Sequence, residues 1–412
     1  MSEHADGGGD APPPAHERLV TPRFALVVGS GLAYFMALGT VLPVVPQYVE
    51  DELGGGSVSV GVAVGSLFVG AVLLRPYIGR LGDRVGRRVL MVFGSAVVAV
   101  SIALYGVMES LGFLIGARLL TGVGEAAFFV GAATMITDLA PPHRRGEAIS
   151  YWSVAVYGGL AFGPVLGEAV LDREGFATTW IVAAALGGVA AVLALCTREV
   201  VRPDSESAPG PGPIVNRAAV GPGTVLFSGL IALAAFTAFV PLYVDEIGLH
   251  NVDVVFLLYG GLVLAVRIFG ARIPDSLGPR SAGALALAAT ATGMTVMAAW
   301  GTTAGLLAGT VLLAAGASLL YPALLLLALG GAPESERGSV VGTFSSFFDL
   351  SQGLGSLLVG LMAAATSYRG AFALGGLCAA VGFVGLRMHT MRLKRQAHVD
   401  EAGALAAEHP GP

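Results

Sequence analysis

Apolar runs alternate with short polar breaks along almost the whole chain. A helix crossing a hydrocarbon core of about 30 Å needs roughly 20 apolar residues, and a series of stretches meets that length. They fall at 24–48, 57–78, 88–108, 111–138, 147–171 and 178–197, then at 219–244, 252–273, 281–300, 303–330, 339–366 and 370–388. The longest polar interruption, "REVVRPDSESAPGPGPIVNR", separates the sixth stretch from the seventh and reads as a linker. The pattern predicts an all-α polytopic membrane protein with 12 transmembrane helices: a six-helix half over 24–197, a linker over 198–218 and a second half over 219–388. The polar N-terminal tail, 1–23, and "EAGALAAEHPGP" at the end of the C-terminal tail, 389–412, read as disordered, and the first has no signal-peptide pattern.

The two halves repeat. "RPYIGRLGDRVGRR" aligns with "RIFGARIPDSLGPR", so that Arg75, Arg80, Asp83, Gly86 and Arg88 match Arg267, Arg272, Asp275, Gly278 and Arg280, each 192 positions on. The same offset carries Pro141, Arg145, Gly146 and Gly163 onto Pro333, Arg337, Gly338 and Gly355. A register shared by two loops and a helix indicates duplication. Six spans per copy give both halves the same orientation, hence pseudo-symmetry about an axis along the membrane normal and a binding site between them. Arginines cluster at alternate span ends, and only Arg173 and Arg369 fall on the other side. The positive-inside rule then puts both termini and the linker in the cytoplasm, with the protein in the cell membrane.

Composition narrows the chemistry. The chain is 55% hydrophobic and 12% charged, about half the charge of a soluble domain. Cys196 and Cys378 sit in apolar segments and imply no disulfide framework. The only lysine, Lys394, follows a leucine, which rules out a Walker A loop. Neither HExxH nor GxSxG occurs, and the seven histidines are scattered. The expectation is a protein that is not an enzyme, with no cofactor, no metal and no nucleic-acid partner. Its partners would be a small-molecule substrate, protons and the lipid bilayer, and it would act as a monomer.

"GRLGDRVGRR", residues 79–88, places Gly79, Leu81, Asp83, Arg84, Gly86, Arg87 and Arg88 as in the signature loop of the major facilitator superfamily, which the chain resembles across its membrane region. "RLLTGVGEA" (118–126) resembles that family's arginine-plus-glycines motif. "GLAFGPVLG" (159–167), with Gly159, Gly163, Pro164 and Gly167, resembles the motif of its proton-coupled antiporters, although Ser150 stands where a further glycine is usual. In the first motif, Gly79 and Gly86 suit a tight turn, and Asp83 suits the positive end of a neighbouring helix. The resemblance points to the eleventh span near Gly338 as that helix. Arg87 and Asp138 are a candidate ion pair, and the whole loop is expected to act as a conformational latch.

Charges inside apolar runs are the candidate coupling groups, because each costs roughly 2.5–3.5 kcal/mol to insert at a helix centre. Arg118, Gly122 and Glu125 share one helix face. Arg118 could bond Glu125 through the gap at Gly122, either as a static pair or as a titrating one. Asp349 lies roughly 16 Å into the eleventh span, with Ser345, Gln352 and Ser356 on its face; its counterpart in the first half is Tyr157. Arg75 and Arg267 are expected to snorkel to the interface, and Glu168 to be interfacial. Tyr34, Thr40, Gln47, Tyr259 and Tyr321 either line a cavity and meet substrate or serve in packing. The Gly159–Gly163–Pro164 stretch reads either as a bent, sealed helix or as close packing.

The expectation is a secondary transporter working by alternating access, with proton-coupled efflux by antiport first and proton-coupled uptake by symport second. The alternative from another class is a membrane receptor or scaffold with no transport cycle.

Overall fold

Helices carry the apolar runs in the computed structural model, which describes residues 19–408 apart from 108, 142–143, 200–214, 250–251, 270–276 and 334–335. They are α1 (Pro22–Asp51), α2 (Ser57–Val85), α3 (Arg87–Tyr105), α4 (Leu111–Leu139), α5 (Arg145–Cys196) and α6 (Arg217–Glu246), then α7 (Val252–Phe269), α8 (Pro279–Ala299), α9 (Thr303–Gly330), α10 (Arg337–Ala365) and α11 (Tyr368–Glu408). Among the described residues, 11 helices are long and apolar enough to cross a membrane.

The fifth and sixth predicted spans form the single element α5. Its 52 residues would reach about 78 Å if straight, more than two hydrocarbon cores. Gly175 breaks it with φ 78° and ψ −178°, a conformation only glycine adopts cheaply. The two limbs fold back antiparallel along α1. Near the start of α1, Ser30 Oγ donates to the Ala190 carbonyl at 2.8 Å, and Gly31 meets the Trp152 ring. Near its end, the Tyr48 ring lies 5.2 Å from Phe176 and 5.5 Å from Trp180. With α5 counted as two limbs, the described residues hold twelve helical segments of membrane-crossing length, six in each half.

Other boundaries also differ from the pattern-based reading. Helix α2 runs unbroken through "GRLGDRV" to Val85, so Gly79 is helical and the turn rests on Gly86 alone, at φ 95° and ψ 153°. Glu199, just past α5, caps α3 by accepting from the Arg87 and Arg88 amides at 2.8 and 3.0 Å. Helix α11 continues past Met388 to Glu408, into the start of the stretch expected to be disordered; "RLKRQAHVDEAGALAAE" is rich in strong helix formers.

The halves meet along two seams related by the 192-residue offset. In one, α2 lies on α10: a Cβ at Gly65 would come within 2.5 Å of the Gly353 carbonyl, and one at Gly61 would overlap the Ser356 carbonyl. In the other, α7 lies on α5, and a Cβ at Gly260 would overlap the Ala161 backbone. Ala161 and Gly353 are 192 positions apart. Within the first half, α4 reaches α2 through Gly122, where a Cβ would overlap the Leu67 carbonyl, whereas Gly116 on the same helix has open space around it. Gly122→Ala should therefore destabilise the protein by about 1–3 kcal/mol and Gly116→Ala should not, as read by thermal unfolding in detergent. Equal melting temperatures for the two variants would contradict the packing described.

Candidate functional site

A cavity of about 370 Å³ lies between the halves, lined by residues from α1, α2, α4 and α5 of the first and α6, α7, α9 and α10 of the second. Its wall is largely apolar and aromatic, including Phe35, Phe68, Phe129, Trp152, Phe256 and Phe348. Such a wall suits an apolar ligand body, and the few polar groups set orientation. Those groups are arranged around two arginines.

Arg75 sits between two carboxylates. Its Nη2 donates to Glu125 Oε1 and Oε2 at 2.9 and 3.0 Å. Its Nε lies 2.8 Å from Asp349 Oδ2, but the N–H is not aimed at that oxygen, so this second contact is an ion pair rather than a directed hydrogen bond. Asp349 is 1% exposed, and its Oδ1 has no hydrogen-bond partner among the described residues. Arg75 thus ties α2 and α4 of one half to α10 of the other, with Phe129 covering the guanidinium at 5.0 Å. The expected snorkelling of Arg75 does not occur. With α2 helical to Val85, ten further residues place Arg75 about 15 Å from the helix end, too deep for the side chain to reach water along it.

Arg267 makes the pseudo-symmetric contact. It reaches across to Tyr157 of α5, with its guanidinium carbon 3.8 Å from the ring centroid and Nη2 donating to the phenol oxygen at 2.6 Å. Arg75 and Arg267 are 192 positions apart, and so are Tyr157 and Asp349. Both cross-half pairs therefore derive from the same duplicated positions, one as Arg–Asp and the other as Arg–Tyr. Arg267 does not snorkel either, because it lines the cavity.

The Arg118–Glu125 pair expected from spacing is absent. Arg118 turns to α2, donating from Nε to the Ala63 carbonyl at 2.9 Å and from Nη2 to the Val64 carbonyl at 3.1 Å. The gap at Gly122 is filled by the α2 backbone, which brings those carbonyls into reach and leaves Glu125 to Arg75. Ser345 and Gln352 line the cavity; Ser345 shares a hydrogen bond with Tyr321 at 3.0 Å, and Gln352 donates to the Leu230 carbonyl at 3.2 Å. Tyr34 is not among the lining residues: it is fully buried, its ring stacked 3.8 Å from Phe128 on α4. Glu168, expected at the interface, is 5% exposed and accepts from Gln47 Nε2 at 2.7 Å.

Gly159, Gly163 and Gly167 all abut α1. A Cβ at Gly159 would lie 2.6 Å from Phe35 Cβ, one at Gly163 would lie 2.7 Å from the Gly39 Cα, and one at Gly167 would overlap the Thr40 carbonyl. Pro164 faces the cavity. At the start of α3, Arg87 Nε lies 3.6 Å from Asp138 Oδ2, and Arg88 Nη2 donates to the Leu195 carbonyl at 2.6 Å. The side chains of Arg80, Asp83, Arg84, Arg145 and Arg337, and residues 270–276 with Arg272 and Asp275, lie outside the described residues.

A multi-pass membrane protein with two like halves around a shared cavity is the class this architecture defines. The sequence profile described as Major Facilitator Superfamily matches residues 27–305 and 275–408, and the chain belongs to that superfamily of membrane transporters. An uncharacterized MFS-type transporter of Salmonella typhimurium (strain LT2) is 30% identical over 361 residues, covering 84% of this chain and 91% of that protein. Another, from Burkholderia mallei (strain SAVP1), is 26% identical over 411 residues, covering 98% and 100%. Among solved structures, the human organic anion transporter MFSD10 matches with TM-score 0.68 at 18% identity, over 89% of this chain and 99% of that one. A mutant of the nucleoside transporter NupG matches with TM-score 0.72 at 13% identity, over 89% and 99%. The cargoes named for these two differ, so the likeness is one of fold.

Proposed function

We propose that the protein is a secondary active transporter that exports a small, largely apolar molecule in exchange for protons by alternating access of the central cavity. The observation that carries this reading is the tie from Arg75 to Glu125 and Asp349 across the two halves. Protonating Asp349 removes the charge that holds Arg75 to α10 and loosens the seam between α2 and α10. One proton per cycle supplies about 1.4 kcal/mol per pH unit and about 2.3 kcal/mol per 100 mV. The arginine-rich span ends support a cell-membrane protein with cytoplasmic termini. On that side, Gly86, Arg87 and Asp138, with Asp83 and Arg84, would form the latch. Backbone packing of Gly159, Gly163 and Gly167 on α1 supports a sealed helix beside the cavity.

Proton-coupled uptake is the second reading, favoured by the cavity's charge: among the described residues Arg75, Arg118 and Arg267 face only Glu125 and Asp349, an arrangement that admits a proton and an anion together. Everted vesicles with an acidic lumen separate the two. Under antiport, substrates found by ligand-stabilisation screening should alkalinise the lumen on addition. A substrate that undergoes net transport without moving protons would remove the coupling.

A further inference from the structure

The two arginines of the duplicated pair differ in how their charge is met. Arg75 has two carboxylates within 3.0 Å. Arg267 has none within ion-pair distance among the described residues; its partner is the neutral phenol of Tyr157. The tyrosine occupies the position equivalent to Asp349, so the acid of the first pair is replaced by a phenol in the second. The Arg267 Nε is buried without an acceptor among the described residues, and the Tyr157 ring lies over the guanidinium. An uncompensated charge in so apolar a setting costs several kcal/mol, and the cavity as a whole carries one more arginine than carboxylate.

We propose that the substrate is an amphiphilic organic monoanion, an apolar or aromatic body bearing one carboxylate or similar group, and that Arg267 receives its anionic end. The guanidinium edge offers the forked donors that a carboxylate matches. Around it, Phe256, Tyr259 and Val263 on α7 and Leu160 on α5 contact the body. A volume of about 370 Å³ lies within the range of small-molecule pockets. Among the described residues the cavity's arginines exceed its carboxylates by one, an excess that selects one anionic group; a polyanion would leave the remaining charges against phenylalanines. This deepens the proposed function, since it rests on the cavity being the substrate site, but it requires neither a direction of transport nor a coupled proton.

The test is equilibrium binding to the detergent-purified full chain, read as thermal stabilisation. The probes are benzoate, phenylacetate and 2-naphthylacetate, each beside its neutral carboxamide, with 2-(2-naphthyl)ethylamine as the cationic member. At least one carboxylate should bind about tenfold or more tightly than its amide, the ratio expected for a charge-assisted contact in an apolar site. Arg267→Gln should collapse that ratio towards one, and Arg267→Lys, which keeps the charge, should retain part of it. Carboxylates that bind no better than their amides or than the amine, or a ratio unchanged in Arg267→Gln, would overturn the proposal. If Arg267→Gln does not fold, the wild-type ratio and Arg267→Lys decide. Because binding is read without proton flux, a failed antiport test leaves this result standing, and the reverse also holds.

Discussion

Arg75→Gln should give the largest loss of stability among single cavity substitutions, about 3–5 kcal/mol, together with loss of transport. The arginine is the only cation in contact with Glu125 and Asp349 among the described residues. Removing it leaves two buried carboxylates facing each other, and the penalty is that of uncompensated charge rather than of a lost contact. The size of the effect therefore depends on what remains. In Arg75→Gln/Asp349→Asn one of the two stranded charges is gone, so the double variant should recover much of the melting temperature lost in the single one, without regaining transport. A single variant as stable as the parent, or a double variant no better than the single, would mean that the three groups do not form one energetic unit.

Asp349→Asn should separate folding from coupling. Glu125 still neutralises Arg75 in this variant, so stability should fall by only about 1 kcal/mol, the scale of one polar contact. Net transport against a gradient should drop to the level of vesicles lacking the protein, because asparagine takes up no proton. Substrate counterflow, which moves no net charge, should persist and should lose its pH dependence. An unchanged pH profile of counterflow in Asp349→Asn would remove this residue from the coupling step.

The helices were legible in the sequence because length and apolarity alone define a span, and the repeat because its register holds at 192 positions. Asp349 stood out because a mid-span acid calls either for a cavity-facing role or for a buried structural one. Arg75 was not. The glycines and charges after it look like a helix end, and reading Gly79 as the turn brings Arg75 to the surface; the backbone turns only at Gly86. The repeat held a usable signal, because Arg75 aligns with Arg267 and Tyr157 with Asp349, but register alone does not say that the two pairs touch. The Arg118–Glu125 pairing failed for a different reason. Shared helix face is a one-helix argument, and the outcome was decided by α2, whose carbonyls reach Arg118 past a glycine. Tyr34 failed similarly: helical spacing leaves open whether it faces the cavity or α4.

The glycines at the two seams between the halves have a mechanical consequence. Side chains that interlock as ridges in grooves resist sliding, since each must lift over its neighbour. Where Gly61 and Gly65 meet Gly353 and Gly360, and where Gly260 meets Ala161, backbone lies against backbone with little to unmesh. These surfaces form a pair of slip planes with low friction, and the Arg75 and Arg267 contacts act as pins set across them.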